Sequence, residues 1–354
     1  MQLALTQDQQ MIRDAAERFL TEASDAAAVR RASESAQGYD ESVWKRIGSE
    51  LGWCGIAIPE EFGGLGLGPV ELVLVQEQAG RRLLCAPFFS SVCLGAMLLT
   101  EIATQSARAR YLPRIADGSL RASVPLPSQG WDQPGTRVPD GASAQALFLP
   151  RALDSGGVGL FALDPRDATI KPLPMWDATR RFAEIEPKQS GERIDDPARA
   201  GQGVLRAIAL ARLYIAAEQL GGAQQCLDST VAYAGNRKQF GRTIASFQAV
   251  KHRCAQMMVA IEATRSMVYG AAATAASGAP TAIMAMECAA AKALASETYF
   301  ECAQEAIQLH GGVGFTWEYD AQLHFKRAQA SSHWLGPPDL LHDFLATPLL
   351  ASAA

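Results

Sequence analysis

Two long alanine-rich runs, Ser246–Ser277 and Pro280–Leu309, constrain this chain more than any other feature. Each carries an apolar face at helical spacing, and the Ser277-Gly278-Ala279-Pro280 break between them reads as a helix stop followed by a helix start. A helix of ~30 residues with one apolar face buries that face by packing on other helices. Upstream, Val204, Ile208, Ala211 and Ile215 recur at spacings of four, three and four, and Leu220 extends the stripe. Residues 198–354 are therefore expected to form a four-helix bundle.

The pattern changes twice before that bundle. From 119 to 197 it becomes short β-like runs (Ala122–Leu126, Ala146–Pro150, Val158–Leu163 and Arg181–Glu186) separated by Gly, Pro, Asp and Ser. Residues 1–118 read as capped helices: Thr6 and Gln9 form a capping-box pattern before Met11, Ala15, Ala16 and Phe19, and Asp40 precedes Val43, Trp44, Ile47 and Leu51. The stretch Pro59 to Gly68 is too glycine-rich for helix, which resumes after Pro69. The expected fold class is mainly α with a small β domain: an N-terminal helical domain (1–118), a middle β domain (119–197) and a C-terminal four-helix bundle (198–354).

Composition removes several functions. The chain has 354 residues, a net charge of -5 and a pI near 5.6, without the basic stripe that phosphate-backbone binding needs, so nucleic acid is not an expected partner. The longest apolar stretch, roughly Val92 to Leu99, is far short of the ~20 residues that cross a bilayer, so no membrane span is expected. The start, with Gln2, Asp8, Arg13, Asp14 and Glu17, lacks the pattern of a secretory signal, and a cytoplasmic location is expected. Seven scattered cysteines form no C-x-x-C pair; they read as buried small apolar residues rather than disulfides or metal ligands.

Three segments carry more than secondary structure. Arg237-Lys238-Gln239-Phe240-Gly241-Arg242-Thr243-Ile244, followed by Phe247-Gln248, places a cation, a glycine turn and a helix start together, which suits a phosphate. On this segment alone, Arg237 and Lys238 read more readily as solvated charges offsetting a helix dipole. In Gln308-Leu309-His310-Gly311-Gly312-Val313-Gly314-Phe315, three glycines in four positions exceed what a helix cap needs and would admit a ligand close to the backbone. His310 reads as a satisfied structural residue rather than a base. The third segment runs from Leu51 to Gly66, with Glu77 and Gly80 to Pro87 after it.

Together the three resemble the acyl-CoA dehydrogenase family over nearly the whole chain, through "GWCGIAIPEEFGGLGL", "NRKQFGRTIASFQAVKHR" and "QLHGGVGFTWEY". The resemblance implies FAD bound between subunits of an oligomer. It implies Arg237 at the FAD pyrophosphate, Phe240 and Ile244 against the adenosine half, and Gln248 hydrogen-bonding nearby, with Gln239 and Phe247 in the same motif. Gln308, Gly311 and Gly312 would reach the same portion from the neighbouring subunit. It further implies an acyl-CoA substrate, removal of its α-proton by a carboxylate with hydride transfer to flavin, and an electron-transfer flavoprotein as acceptor.

Departures from the family pattern fall at the base. The usual "aromatic-Glu-Gly-Thr" element reads here Trp334-Leu335-Gly336-Pro337, and the minority position on the helix before the arginine motif is Ala211. Neither side chain can accept a proton. Glu218, two turns after Ala211 on the same face, remains as a candidate pointing toward the same cavity. Where the family resembles "T-E-P-G-A-G-S-D", this chain has Val124-Pro125-Leu126-Pro127-Ser128-Gln129-Gly130-Trp131-Asp132, with proline in place of the flavin-contacting threonine. Trp176-Asp177-Ala178-Thr179-Arg180-Arg181 resembles the Asp-x-Thr-Arg element of a shorter subclass, as replacement polar groups or as a turn into a strand. The expectation is an acyl-CoA dehydrogenase, as a homo-oligomer or as one subunit of a hetero-oligomer with a paralogue. The alternatives are a non-catalytic partner that completes an FAD site, or a flavin-dependent oxygenase or oxidase.

Overall fold

The computed structural model describes residues 4–126 and 137–353; the segment Pro127 to Asp132 lies outside them. The N-terminal region holds α1 (Gln7–Ala23), α2 (Ala26–Glu34), α3 (Glu41–Lys45), α4 (Pro69–Arg81), α5 (Met97–Ile102) and α6 (Gln105–Ala116). The capping box forms as expected: Thr6 Oγ1 accepts the Gln9 N–H at 3.2 Å, and Gln9 Oε1 accepts the Thr6 N–H at 3.0 Å. Asp40 caps α3 through the Ser42 N–H at 2.8 Å. The glycine-rich stretch folds back on the chain before it, with Leu65, Gly66 and Leu67 donating to the carbonyls of Gly55, Ile58 and Ile56 at 2.9–3.0 Å. A Cβ on Gly64 would overlap the Ile58 carbonyl, so glycine is required there. That loop is a structural clasp.

The middle region contains β1 (Ala122–Ser123), β2 (Arg137–Pro139), β3 (Ala146–Ala152), β4 (Val158–Leu163), β5 (Ala168–Leu173), β6 (Phe182–Pro187) and β7 (Glu192–Arg193). They form two sheets, ordered β1-β3-β4-β7 and β2-β6-β5. Val138, Leu147, Leu149, Ala183 and Ile185 fill the space between them. The other face of the first sheet, through Phe148, joins the main core.

The C-terminal region comprises α7 (Pro197–Asn236), the hairpin β8 (Lys238–Gln239) and β9 (Arg242–Thr243), then α8 (Gln248–Ala276), α9 (Thr281–His310), α10 (Ala321–Ser332) and α11 (Pro338–Ala353). Helices α7 to α10 pack as a four-helix bundle, and α11 lies against α9. From Ala207 to Ala223, α7 is buried on every face except at Arg212, because α4 covers the side that the bundle leaves open. The two backbones touch: a Cβ on Gly80 would overlap the Glu218 carbonyl, and one on Gly221 the Glu77 carbonyl. One continuous core runs from Ile47 and Phe88 through Phe148 to Tyr214, Ile261 and Tyr299. Six of the seven cysteines are buried and Cys254 is half-buried. Among the described residues, no helix is long and apolar enough to cross a membrane.

Candidate functional site

The phosphate-type motif occupies one end of the bundle. α7 ends where the Arg237 N–H donates to Tyr233 at 2.9 Å, and the Ile244 N–H returns to the Arg237 carbonyl at 2.8 Å, closing β8 and β9 into a tight hairpin. Its turn uses two left-handed residues, Phe240 at φ 53° and Gly241 at φ 77°. α9 ends beside it. The His310 ring stacks on Tyr233 at 4.4 Å and 22°, which ties the last turn of α9 to the last turn of α7. His310 Nδ1 lies 2.6 Å from the Ala306 carbonyl and is therefore the donor. Burial pushes its pKa down against the opposing effect of that bond, so the ring is a neutral stacking group.

Outward from this stack, Arg237, Gln239, Phe240, Gln248, Gln308, Gly311 and Gly312 are all exposed. Phe240 is 91% exposed and meets Phe247 edge-on at 6.1 Å, while the Arg242 guanidinium covers the Phe247 ring at 4.0 Å. Ile244 and Phe247 are half-buried under the hairpin. Among the described residues, the Arg237 guanidinium has no ion pair or side-chain hydrogen bond. A Cβ at Gly311 or Gly312 would meet only open space. An unpaired guanidinium, an exposed ring and open glycine backbone at one bundle end fit a pyrophosphate with an attached aromatic base. Both predicted motifs thus share one end of the molecule.

The predicted base position lies elsewhere, between the middle sheets and α10. A cavity of about 610 Å³ is walled by Leu126, Leu173, Met175, Phe182, Trp334 and Leu335, with Arg137 and His333 as its charged or polar side chains. The turn carrying Leu335 is built from left-handed residues, Leu335 at φ 61° and Gly336 at φ 107°. A non-glycine residue there costs about 1–2 kcal/mol, and the surroundings hold it in place. Arg212 Nε donates to the Leu335 carbonyl at 2.9 Å, and Lys292 Nζ donates to the Ser332 carbonyl at 3.1 Å and to Ser296 Oγ at 2.7 Å. Lys292 is fully buried; desolvation first, and Arg212 second, push its pKa down to about 7. Trp334 packs between Phe89 at 5.9 Å and Phe182 at 5.2 Å. The turn therefore presents a residue to the cavity, and that residue is leucine. Ala211 is fully buried in α7 and does not line the cavity.

Glu218 corrects the sequence reading. It does not line the Leu335 cavity. Its carboxylate is 1% exposed and clamped between two guanidiniums: Arg327 Nη1 at 2.7 Å, and Arg180, whose Nη2 donates to the other oxygen. Arg327 also donates to Asp177 at 2.8 Å and to the Thr179 carbonyl at 3.0 Å, and Arg180 to the Leu84 carbonyl at 3.1 Å. Burial alone would raise the Glu218 pKa, but the two arginines outweigh it and hold it below the usual range. A carboxylate so stabilised is a poor proton acceptor. The Asp177-Ala178-Thr179-Arg180 element is spent on the same cluster, as the lock between the turn before β6, α7 and α10. Arg327 was missed in the sequence, although it stands four residues from both Leu323 and Ser331 on the inward face of α10. Arg137 and His333 had no sequence signal at all, since one opens β2 and the other follows α10, and they come to one cavity only in the folded chain.

The sequence profile described as acyl-CoA dehydrogenase, N-terminal domain, matches residues 6–119, and that described as acyl-CoA dehydrogenase, C-terminal domain, matches residues 201–350. The chain is 34% identical over 343 residues to acyl-CoA dehydrogenase IpdE2 of Mycolicibacterium smegmatis, covering 94% of this chain and 96% of that protein. It is 35% identical over 332 residues to the IpdE2 of Mycobacterium tuberculosis, covering 94% of each. Among solved structures, a variant of the steroid ACAD Tcur3481-Tcur3483 superposes with a TM-score of 0.86 at 25% identity, covering 98% of both chains.

Proposed function

The chain belongs to the acyl-CoA dehydrogenase family, and on that premise we propose that it is one subunit of a hetero-oligomeric, FAD-dependent acyl-CoA dehydrogenase whose proton acceptor comes from a paralogous chain. The observation that carries this reading is Leu335: the turn that faces the cavity is intact, clamped by Arg212 and Lys292, and bears no carboxylate. Removing the weakly acidic α-proton of a thioester needs a positioned base in a dry pocket. Leu335 and Ala211 are not bases, and Glu218 is held by two arginines.

FAD, when bound, supplies the acceptor for the β-hydride. This chain's residues would hold it at the bundle end, where Arg237 suits pyrophosphate oxygens, Phe240 offers a ring face, and Gly311 and Gly312 permit close backbone approach. Gln239, Gln248 and Gln308 lie on the same exposed edge as hydrogen-bonding groups. The Leu335 cavity would receive the acyl end of the thioester and exclude water through its apolar wall. Relatives named acyl-CoA dehydrogenase support the reaction, and the steroid ACAD Tcur3481-Tcur3483, which carries two names, supports the pairing. An electron-transfer flavoprotein is the expected electron acceptor.

The test is to express the chain alone and with a paralogue, then measure bound flavin and anaerobic flavin bleaching by acyl-CoA thioesters. Bleaching in the complex but not with the chain alone is expected; rapid bleaching by the chain alone would overturn the shared-site reading. Installing the missing base by Leu335→Glu should raise bleaching by the chain alone by about 10²–10⁴, the usual worth of a general base. NAD(P)H-driven oxygen uptake without bleaching would instead favour an oxygenase.

A further inference from the structure

The cavity beside Leu335 is lined by Arg137 and His333 and by no Asp or Glu among the described residues. Arg137 opens β2 directly opposite Glu184 of β6 in the antiparallel register. Opposite charges at that spacing commonly pair across strands. Here they do not: Arg137 has no ion pair among the described residues and lines the cavity instead. Behind the cavity wall, the Arg212 guanidinium adds a further cation, whose hydrogen bond goes to the neutral carbonyl oxygen of Leu335. Among the described residues, the wall thus carries positive charge without an anion of its own. In a mainly apolar cavity such charge is attenuated less than in bulk water, and a carboxylate arriving there gains a charge-assisted bond that a methyl group cannot make.

We infer that this cavity selects an acyl group bearing its own carboxylate, distal to the thioester, with Arg137 as the specificity-determining contact and His333 beside it. The inference rests on the acyl-CoA reading above and narrows it to thioesters of dicarboxylic acids. A purely aliphatic chain end would leave the guanidinium uncompensated against an apolar group, and a cationic one would be repelled by it.

The test compares two thioesters of equal chain length, adipyl-CoA and hexanoyl-CoA, by calorimetric titration of the flavin-loaded protein. Adipyl-CoA should bind about tenfold or more tightly. Arg137→Met should bring the ratio close to one, and Arg137→Lys should restore part of it; Arg137→Gln serves if the methionine variant does not fold. Equal affinities for the wild type, or a preference that survives Arg137→Met, would overturn the inference and leave the acyl-CoA reading standing. So would loss of flavin on gel filtration of Arg137→Met with the thioester preference intact, which would assign the arginine to the flavin. Binding of neither thioester by flavin-loaded protein would overturn both.

Discussion

Arg327 and Arg237 are the same side chain put to opposite uses. Arg327 is 1% exposed and meets Asp177, Thr179 and Glu218, while Arg237 stands exposed at a hairpin with no partner among the described residues. A guanidinium removed from water persists only where its hydrogen bonds and charge are met, so the first is a structural lock. One left in water beside open glycine backbone keeps its whole bonding capacity for a ligand. The contrast extends to carboxylates: Glu218 was a candidate base because it stands two turns after Ala211 on the same face, but Arg180 and Arg327 already hold it. Role follows from the inventory of partners.

The contrast is broken most directly at Glu218. Glu218→Ala would leave Arg180 and Arg327 buried without their shared counter-charge, which typically costs about 3–5 kcal/mol. Urea unfolding at pH 7 measures it, and a loss below about 1 kcal/mol would mean the cluster is not a lock. The same cluster has a pH signature. Because the folded pKa of Glu218 lies below its ordinary value, the folded state binds fewer protons there than the unfolded state. The stabilisation is therefore full above the unfolded value of about 4.3 and is lost as pH falls through the folded one. The stability gap between wild type and Glu218→Ala should shrink below about pH 4. A gap that stays constant to pH 3 would argue against the ion pairs.

The removal of Arg237 tests the other half. Arg237→Ala should leave unfolding free energy within about 0.5 kcal/mol, as for a surface substitution. Flavin affinity should fall about ten- to a hundredfold, the worth of a charge-assisted hydrogen bond. The ratio of flavin to protein absorbance after gel filtration reads this out. A full flavin complement in the variant would remove Arg237 from the nucleotide site.

Much of the fold was legible before the structure. The Thr6 capping box, the helix-β-helix sequence of blocks and the two long bundle helices follow from local chemistry and period, and all formed. Strands β2, β5 and β7 did not announce themselves, since they are short or carry polar and proline residues held by pairing with β6 or β4. The loss of the base was visible at Leu335, because a motif can be counted along a chain. The fate of Glu218 was not, because its partners are 38 and 109 residues away and meet it only after the turn before β6, α7 and α10 have packed. Spacing reports on one element at a time, whereas a charge cluster is a property of several.

Gly312 offers the smallest and most discriminating change. A Cβ there meets nothing within 4 Å, and its backbone is not left-handed, so Gly312→Ala should alter stability by no more than about 0.5 kcal/mol. Gly311, at φ 66° and ψ -145°, is the control: Gly311→Ala should cost about 1–3 kcal/mol through backbone strain, with or without ligand. If the open space at Gly312 is where a nucleotide approaches, the added methyl should weaken flavin retention severalfold, less than Arg237→Ala does because no charge is removed. Stability by thermal unfolding and flavin retention by gel filtration then separate the two glycines. Unchanged flavin affinity in Gly312→Ala would show that the space is open to solvent alone, and the ligand-facing edge would shrink to the hairpin.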